Sequence, residues 1–180
     1  RDVKEALSML KDMPVAYNLN LIVLDREGRC ALVETLDGRM AVKAIDSDSG
    51  EQALYATNHP VLEELIPYEP KAFVHSIRRY DNITAFLDRH KKGITAGQLK
   101  DFFLTPYPEG LSCSYYSQFF GTTKTMVLDP VRGSLSLCWG RPENGWHDFN
   151  FSDPFPQETA AIEIHNQTAD PSIFAYRSLV

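Results

Sequence analysis

Cysteines, clustered basic residues and long apolar runs are all scarce in this sequence of 180 residues. The three cysteines, Cys30, Cys113 and Cys138, are an odd number without the spacing of metal ligands. The sequence therefore predicts neither a disulfide framework nor a metal site. We expect buried free thiols in a reducing compartment, which indicates a cytoplasmic protein, and no motif indicates a cofactor.

Positive charge is not concentrated anywhere in the chain. The longest basic cluster is "HKKG", and the formal net charge is -6 at pH 7. Domains that bind nucleic acids carry a basic patch, so we expect no nucleic-acid partner. No apolar stretch approaches the roughly 20 residues of a membrane-spanning helix, so we expect no membrane partner either.

The remaining composition is typical of one globular domain with a real core. Hydrophobic residues make up 43% of the sequence and charged residues 23%. The first residue is Arg1 rather than Met, from which we expect that the chain continues upstream. We expect residues 1–150 to form the body of the domain and residues 151–180 to form a peripheral strand or tail of the same domain.

The first third of the sequence predicts one helix and then strands. Asp2 and Glu5 have the spacing of a capping box, and Pro14 ends the helical pattern that they open. Residues 18–45 alternate between apolar runs and two turns, the second of which, Asp37-Gly38, is a hairpin signal. The segment "LYATN", residues 54–58, is predicted as a fourth short strand.

Two helices and a second run of strands follow. Residues 71–93 carry an apolar stripe at helical spacing, formed by Phe73, Ile77, Tyr80 and Leu87. Thr95 and Gln98 form a second capping box, before a helix expected to bury Leu99, Phe102 and Phe103. The predicted strands after it are "YYSQFF", "KTMVLDP", "GSLSLCWG" and "WHDFNF". Runs of strands separated from runs of helices indicate an α+β fold with antiparallel sheets.

Several stretches resemble a known family in their order and spacing. They are "ALSMLKDMPVAYNLNLIVLDREGRCALVE", "LYATNHP", "SIRRY", "GITAGQLKDFF" and "TKTMVLDPVRGSLSLCWGRP". Together, over roughly residues 4–150, they resemble the C-terminal half of the acyl-CoA:6-aminopenicillanic acid acyltransferase family. That family is related to the choloylglycine hydrolases, within the N-terminal-nucleophile hydrolases. The resemblance implies that the chain is part of an αββα sandwich.

The resemblance also implies a chemistry for linear amides. In these families an N-terminal cysteine attacks the amide, and its own α-amino group acts as the base. By resemblance, Asn58 matches the side-chain amide that donates to the oxyanion, and Arg79 matches an arginine that supports the centre electrostatically. Arg1 is not a nucleophile, however, and no cysteine lies near the N-terminus. The expected partners are therefore a nucleophile-bearing N-terminal half of the same protein and a small N-acyl amide substrate.

Each candidate also has a simpler interpretation. Asn58 is typical of a turn residue bonded to local backbone, His59 is expected to be structural, and Cys113 is expected to be an idle thiol. Arg78 and Arg79 are neighbours on a helix, so one of them should face solvent, and we expect it to be Arg78. For the whole chain, the alternative hypothesis is a non-catalytic α+β module that binds a partner or a small molecule.

Overall fold

The computed structural model describes residues 2–14, 17–154 and 161–180. Within them the helices are α1 (Val3–Asp12), α2 (Val74–Arg89) and α3 (Ala96–Leu104). The strands are β1 (Leu19–Leu24), β2 (Cys30–Leu36), β3 (Arg39–Ile45), β4 (Lys71–Phe73), β5 (Ser114–Tyr115), β6 (Phe120–Gly121), β7 (Lys124–Asp129), β8 (Ser134–Trp139), β9 (Trp146–Asn150) and β10 (Tyr176–Ser178). These strands pair antiparallel, so the fold is α+β, as predicted.

Contacts divide the chain into two compact units. The first unit comprises residues 1–80 and 174–180, and the second comprises residues 81–173, so that the boundary falls within α2. Arg1 and residues 155–160 of the predicted tail lie outside the described residues. The end of that tail contains β10, which pairs with β4 in the first unit.

The first unit is built on a three-stranded meander in the order β1-β2-β3. Asp37 and Gly38 connect β2 to β3 with φ angles of 49° and 74°, the positive values that a type I′ hairpin turn requires. This confirms the hairpin predicted from the Asp-Gly pair. At the N-terminus, Asp2 caps α1 by accepting a hydrogen bond of 2.8 Å from the main-chain N–H of Glu5, which confirms the N-cap side of the predicted capping box.

The central strand β2 is buried along its whole length. Leu32 and Leu36 on one of its faces pack with Ala41 of β3 and with two leucines of the following loop, Leu62 and Leu65. The loop after β3 is therefore held against the sheet by apolar contacts, which remove its side chains from water.

Residues 54–58 do not form the predicted fourth strand. Leu54 and Ala56 pack against the core cluster, which explains why the segment shows the alternating pattern of a strand. Its backbone, however, is bonded to side chains instead of to a neighbouring strand. Periodicity reports which residues are buried, and it does not report whether a strand is available to pair with.

The predicted stripe on the helix after β4 is only partly correct. Phe73 ends β4 and α2 begins at Val74. Ile77, Tyr80 and Leu87 are half-buried. The most deeply buried residues of α2 are instead polar or lie off that stripe: His75, Ser76 and Phe86. The helix therefore turns a polar pair, His75 and Ser76, into the first unit.

The second unit contains α3 and the remaining strands. Thr95 and Gln98 form both hydrogen bonds of the predicted capping box at the start of α3. Phe102 is buried and stacks on Phe86 with ring centres 4.2 Å apart, while Leu99 and Phe103 are half-buried. β7, β8 and β9 form a second antiparallel meander, so three of the four late strands are confirmed.

The first of the four predicted late strands, "YYSQFF", is wrong. Residues 116–118 form a turn of 3-10 helix between the two-residue strands β5 and β6. Phe119 ends that turn in a left-handed conformation and is fully exposed. The backbone of Gly121 packs against the Tyr116 ring, and a Cβ atom at position 121 would lie 2.3 Å from a carbon of that ring. The aromatic run thus forms a tight turn between two short strands, and its sequence pattern does not distinguish this arrangement from one continuous strand.

All three cysteines are free and buried, as predicted. None of the helices in the described part of the chain is both long enough and apolar enough to cross a membrane.

Candidate functional site

The segment from Thr57 to His59 is anchored by side chains from the sheet and from α2. Asn20 on β1 donates from its amide to the carbonyl oxygens of Thr57 and His59, the second at 3.0 Å. Thr57 donates from its hydroxyl to the carbonyl of Ser76 at 3.0 Å. The two bonds from Asn20 satisfy backbone carbonyls that a β-ladder would otherwise satisfy, so the segment is fixed without being a strand.

Asn58 is exposed between two neighbours that are not. Thr57 is half-buried and His59 is only 7% exposed. The imidazole of His59 lies 2.8 Å from the hydroxyl of Ser76 and edge-on to the ring of Tyr80. The segment therefore turns His59 inward and Asn58 outward. This agrees with the structural interpretation of His59 and argues against a local turn bond as the role of the Asn58 side chain.

The carboxamide of Asn58 has a defined orientation. Its Oδ1 accepts a hydrogen bond of 2.6 Å from Nη2 of Arg79. A guanidinium has only donors, so it must face the carbonyl end of the amide and not the NH₂ end. Among the described residues, Nδ2 donates no hydrogen bond to a protein group. The outcome is an exposed N–H donor whose direction is set by an arginine.

Arg79 is held in turn by His75, one helical turn earlier. Nη2 of Arg79 lies 3.3 Å from Nδ1 of His75, and Nε lies 3.4 Å from its carbonyl oxygen. Because Arg79 only donates, Nδ1 accepts and the imidazole proton sits on Nε2. Burial, followed by the charge of Arg79, lowers the pKa of His75 to about 4. His75 is therefore a neutral acceptor at pH 7 and leaves the positive charge on Arg79 intact.

The two arginines of the Arg-Arg pair have different surroundings. Arg78 is exposed, and Arg79 is half-buried against Asn58 and His75. This is the division expected from helical spacing.

A cavity of about 270 Å³ borders Asn58 in the first unit. Its walls include Asn20 of β1, Glu34 of β2 and Glu69, which precedes β4. Both carboxyl groups have pKa values raised chiefly by burial. No lysine, arginine or cysteine among the described residues lines this cavity. The cavity can accommodate a small polar group next to Asn58, and the described residues of its walls contribute no thiol nucleophile.

Glu34 holds the chain directly after the candidate site. It is 1% exposed, and its carboxylate accepts from the main-chain N–H of Val61 at 2.9 Å and of Leu62 at 3.0 Å. These bonds favour the ionised form and oppose the effect of burial on its pKa. The loop from Asn58 to Leu62 is thus fixed at both ends by polar side chains.

All three thiols are buried. Burial raises the pKa values of Cys30 and Cys138, so both are protonated at pH 7. Cys113 is 5% exposed and touches the carbonyl of Leu111. Within the described residues, no group of His, Cys, Asp and Glu side chains is arranged to hold a metal ion.

Three supporting residues were missed by the sequence analysis. Ser76 lies in the quoted "SIRRY" stretch, yet no role was assigned to it. His75 precedes it, and Asn20 interrupts an otherwise apolar strand pattern. Polar residues in the middle of an apolar pattern were the available signal, since a buried polar group must have a partner.

The comparison with known families gives a match over most of the chain. Residues 1–144 match the family described as acyl-coenzyme A:6-aminopenicillanic acid acyl-transferase. No curated protein and no solved structure matches the chain.

Proposed function

Because the chain belongs to the acyl-coenzyme A:6-aminopenicillanic acid acyl-transferase family, we propose that it supplies Asn58 and Arg79 to a site that cleaves or transfers acyl groups at linear amides. The attacking thiolate is a cysteine from a nucleophile-bearing segment outside these 180 residues. The substrate is a small N-acyl amide. The protein acts in a reducing compartment, the cytoplasm, where its three thiols stay free.

The observation that carries the proposal is the orientation of Asn58. Arg79 occupies Oδ1, which leaves Nδ2 as the available donor of an exposed residue that borders a polar cavity. An asparagine whose only role is to stabilise a turn would form hydrogen bonds between its side-chain amide and the local backbone. Within the part of the chain that the structure describes, the Asn58 side chain makes one hydrogen bond, to a cation 21 residues away, and that bond turns the NH₂ end away from Arg79.

The chemistry follows from where charge develops. When a thiolate attacks the carbonyl carbon of an amide, the carbonyl oxygen becomes an oxyanion. Nδ2 of Asn58 donates to that oxygen as the charge appears. Arg79 contributes in two ways: it fixes the amide, and its positive charge lowers the energy of a nearby negative charge. Both groups are in place before the reaction, so little reorganisation is needed.

The cysteines of the chain support an external nucleophile. Cys30 and Cys138 are buried and protonated at pH 7, and Cys113 is buried as well. The purified 180-residue chain should therefore release no 4-nitroaniline from N-acyl-4-nitroanilides. The protein that also contains the nucleophile-bearing segment should release it.

Substitution of Asn58 in that longer protein tests the proposal. Asn58→Ala should lower kcat by about 10²–10³, the effect of losing one oxyanion donor, with little change in melting temperature. Asn58→Asp should be at least as harmful. It preserves the contact with Arg79 as an ion pair, but it replaces the donor with an acceptor that carries negative charge.

Asn150→Ala is the matched control, because Asn150 is also an exposed asparagine whose amide contacts a charged side chain. It should retain wild-type kcat. If Asn58→Asp keeps full activity, or if a fall in melting temperature accounts for the whole loss in Asn58→Ala, Asn58 is not an oxyanion donor.

A further inference from the structure

We infer that Ser76 is a positioning residue that fixes the main chain of Asn58 so that its amide meets the oxyanion. This inference rests on the proposed function of Asn58. It assigns to a buried serine on α2 a role in the rate of the reaction, although that serine touches no substrate.

The hydroxyl of Ser76 is surrounded by residues 57–59. Ser76 is 0% exposed. Its Oγ accepts a hydrogen bond of 2.9 Å from the main-chain N–H of Asn58, and it lies 2.8 Å from Nδ1 of His59 and 3.1 Å from Oγ1 of Thr57. The carbonyl of Ser76 accepts from the hydroxyl of Thr57. One residue of α2 thus contacts three consecutive residues of the segment.

Counting donors and acceptors shows that the proton and at least one lone pair of this hydroxyl are engaged. A serine hydroxyl has one proton and two lone pairs. Asn58 fills one lone pair, and the proton goes to His59 or to Thr57. The close serine–histidine contact belongs to this internal network. Full burial of Ser76 also keeps substrates away from its Oγ.

Ser76 and Arg79 act on the two ends of the same residue. They are three positions apart and therefore lie on one face of α2. Ser76 binds the backbone N–H of Asn58, and Arg79 binds its Oδ1 at 2.6 Å. With both ends held by one helical turn, the position of Nδ2 is set relative to α2. Displacements of about 1 Å in a reacting group can lower rates 10²-fold, so this support affects kcat.

The test is a double-mutant cycle in the protein that contains the nucleophile-bearing segment, with an N-acyl-4-nitroanilide as substrate. Ser76→Ala should lower kcat about tenfold and leave KM within about twofold, because Asn58 donates more strongly to the transition state than to the substrate. In an Asn58→Ala background, Ser76→Ala should change kcat by less than about twofold, because no donor remains to be positioned. Ser76→Cys, which retains a weak acceptor of larger size, should fall between wild type and Ser76→Ala.

Ser112→Ala is the matched control, since Ser112 is the other serine among the buried polar residues of the described chain. It should keep wild-type kcat. Assays should be run well below the melting temperature of each variant, so that loss of folded protein does not contribute.

A measurement on the unsubstituted 180-residue chain keeps the inference testable if the Ser76 variants do not fold. The main-chain N–H of Asn58 should exchange with deuterium at least about tenfold more slowly than that of Gln52, an exposed loop residue. Rapid exchange at Asn58 would contradict the anchor.

Two kinetic outcomes overturn the inference: wild-type kcat in Ser76→Ala, or an equal fall in kcat from Ser76→Ala in both backgrounds. If Asn58→Ala alone leaves kcat unchanged, the proposed function fails instead. The cycle therefore separates the two failures.

Discussion

Nη2 of Arg79 lies 2.6 Å from Oδ1 of Asn58, across 21 positions of sequence. The pair joins an irregular segment to a rigid helix. Arginine can only donate, so the contact fixes which end of the amide faces outward. Without such a partner, nothing would fix which end of an exposed asparagine amide faces outward. The orientation of the Asn58 amide is therefore set by Arg79 on α2.

Arg79 is expected to affect catalysis through both its shape and its charge. Arg79→Lys retains the charge, but it loses the planar fork that reaches Asn58 and His75 together. We expect kcat to fall about tenfold in Arg79→Lys and more in Arg79→Ala, with steady-state release of 4-nitroaniline as the measurement.

The neighbouring arginine provides the control for this prediction. Arg78 is exposed and one position away, so Arg78→Ala changes the net charge as Arg79→Ala does. It should keep kcat within about twofold of wild type. Equal losses in the two alanine variants would indicate a general charge effect and contradict a specific role for Arg79.

Glu34→Gln should destabilise the protein even though it removes a buried charge. The carboxylate of Glu34 accepts from two main-chain N–H groups, those of Val61 and Leu62. Both N–H groups reach Oε2, and that of Val61 also reaches Oε1 at 2.9 Å. Glutamine with its oxygen at the Oε2 position places its NH₂ group against the N–H of Val61, so that a buried donor faces a donor. The free energy of unfolding in urea should fall by about 1–3 kcal/mol.

Glu69→Gln is the matched comparison for Glu34→Gln. Glu69 is half-buried and lines the same cavity, and its pKa is also raised by burial. Its carboxyl group accepts no hydrogen bond from the described residues. Neutralising it should leave stability unchanged or raise it slightly. A gain in stability from Glu34→Gln as well would mean that desolvation of the charge outweighs its hydrogen bonds.

The parts of the fold that follow local rules were predictable from the sequence. The Asp37-Gly38 turn, the Asp2 cap and the Thr95–Gln98 capping box each depend on residues within three positions of one another. The free cysteines were predictable too, from their number and spacing. The family resemblance singled out Asn58 and Arg79, and the structure brings these two residues into contact.

What could not be predicted depends on contacts between distant segments. Residues 54–58 have the alternation of a strand, but Asn20 and Ser76 satisfy the backbone at Thr57 and beyond, and no strand is paired there. Ser76 on α2 is likewise bonded to partners 17 and 19 positions away, and His75 contacts the ring of Phe174 near the C-terminus. A sequence pattern records polarity along the chain. It does not record which buried polar group will meet which other.

His75 should make the stability of the protein depend on pH between about 4 and 6.5. The pKa of its imidazole falls from 6.5 to about 4 on folding, because the ring is buried and the Arg79 guanidinium is close. The rings of Phe73 and Phe174, which contact it, carry no charge. Between these two pH values the unfolded chain binds a proton that the folded chain does not. The stabilising contribution is therefore complete above pH 6.5 and is lost as the pH falls toward 4, up to about 3 kcal/mol.

Urea unfolding of wild type and His75→Phe at several pH values measures this contribution. Phenylalanine preserves the stacking on Phe73, does not titrate, and removes the acceptor for Arg79. The difference in free energy of unfolding between the two proteins should be constant above pH 7.5. Below pH 6.5 the wild type should lose stability faster than the variant, because only the wild type takes up a proton at this position when it unfolds. A difference that stays constant from pH 7.5 to pH 4.5 would show that His75 has its ordinary pKa in the folded protein, and that neither burial nor Arg79 lowers it.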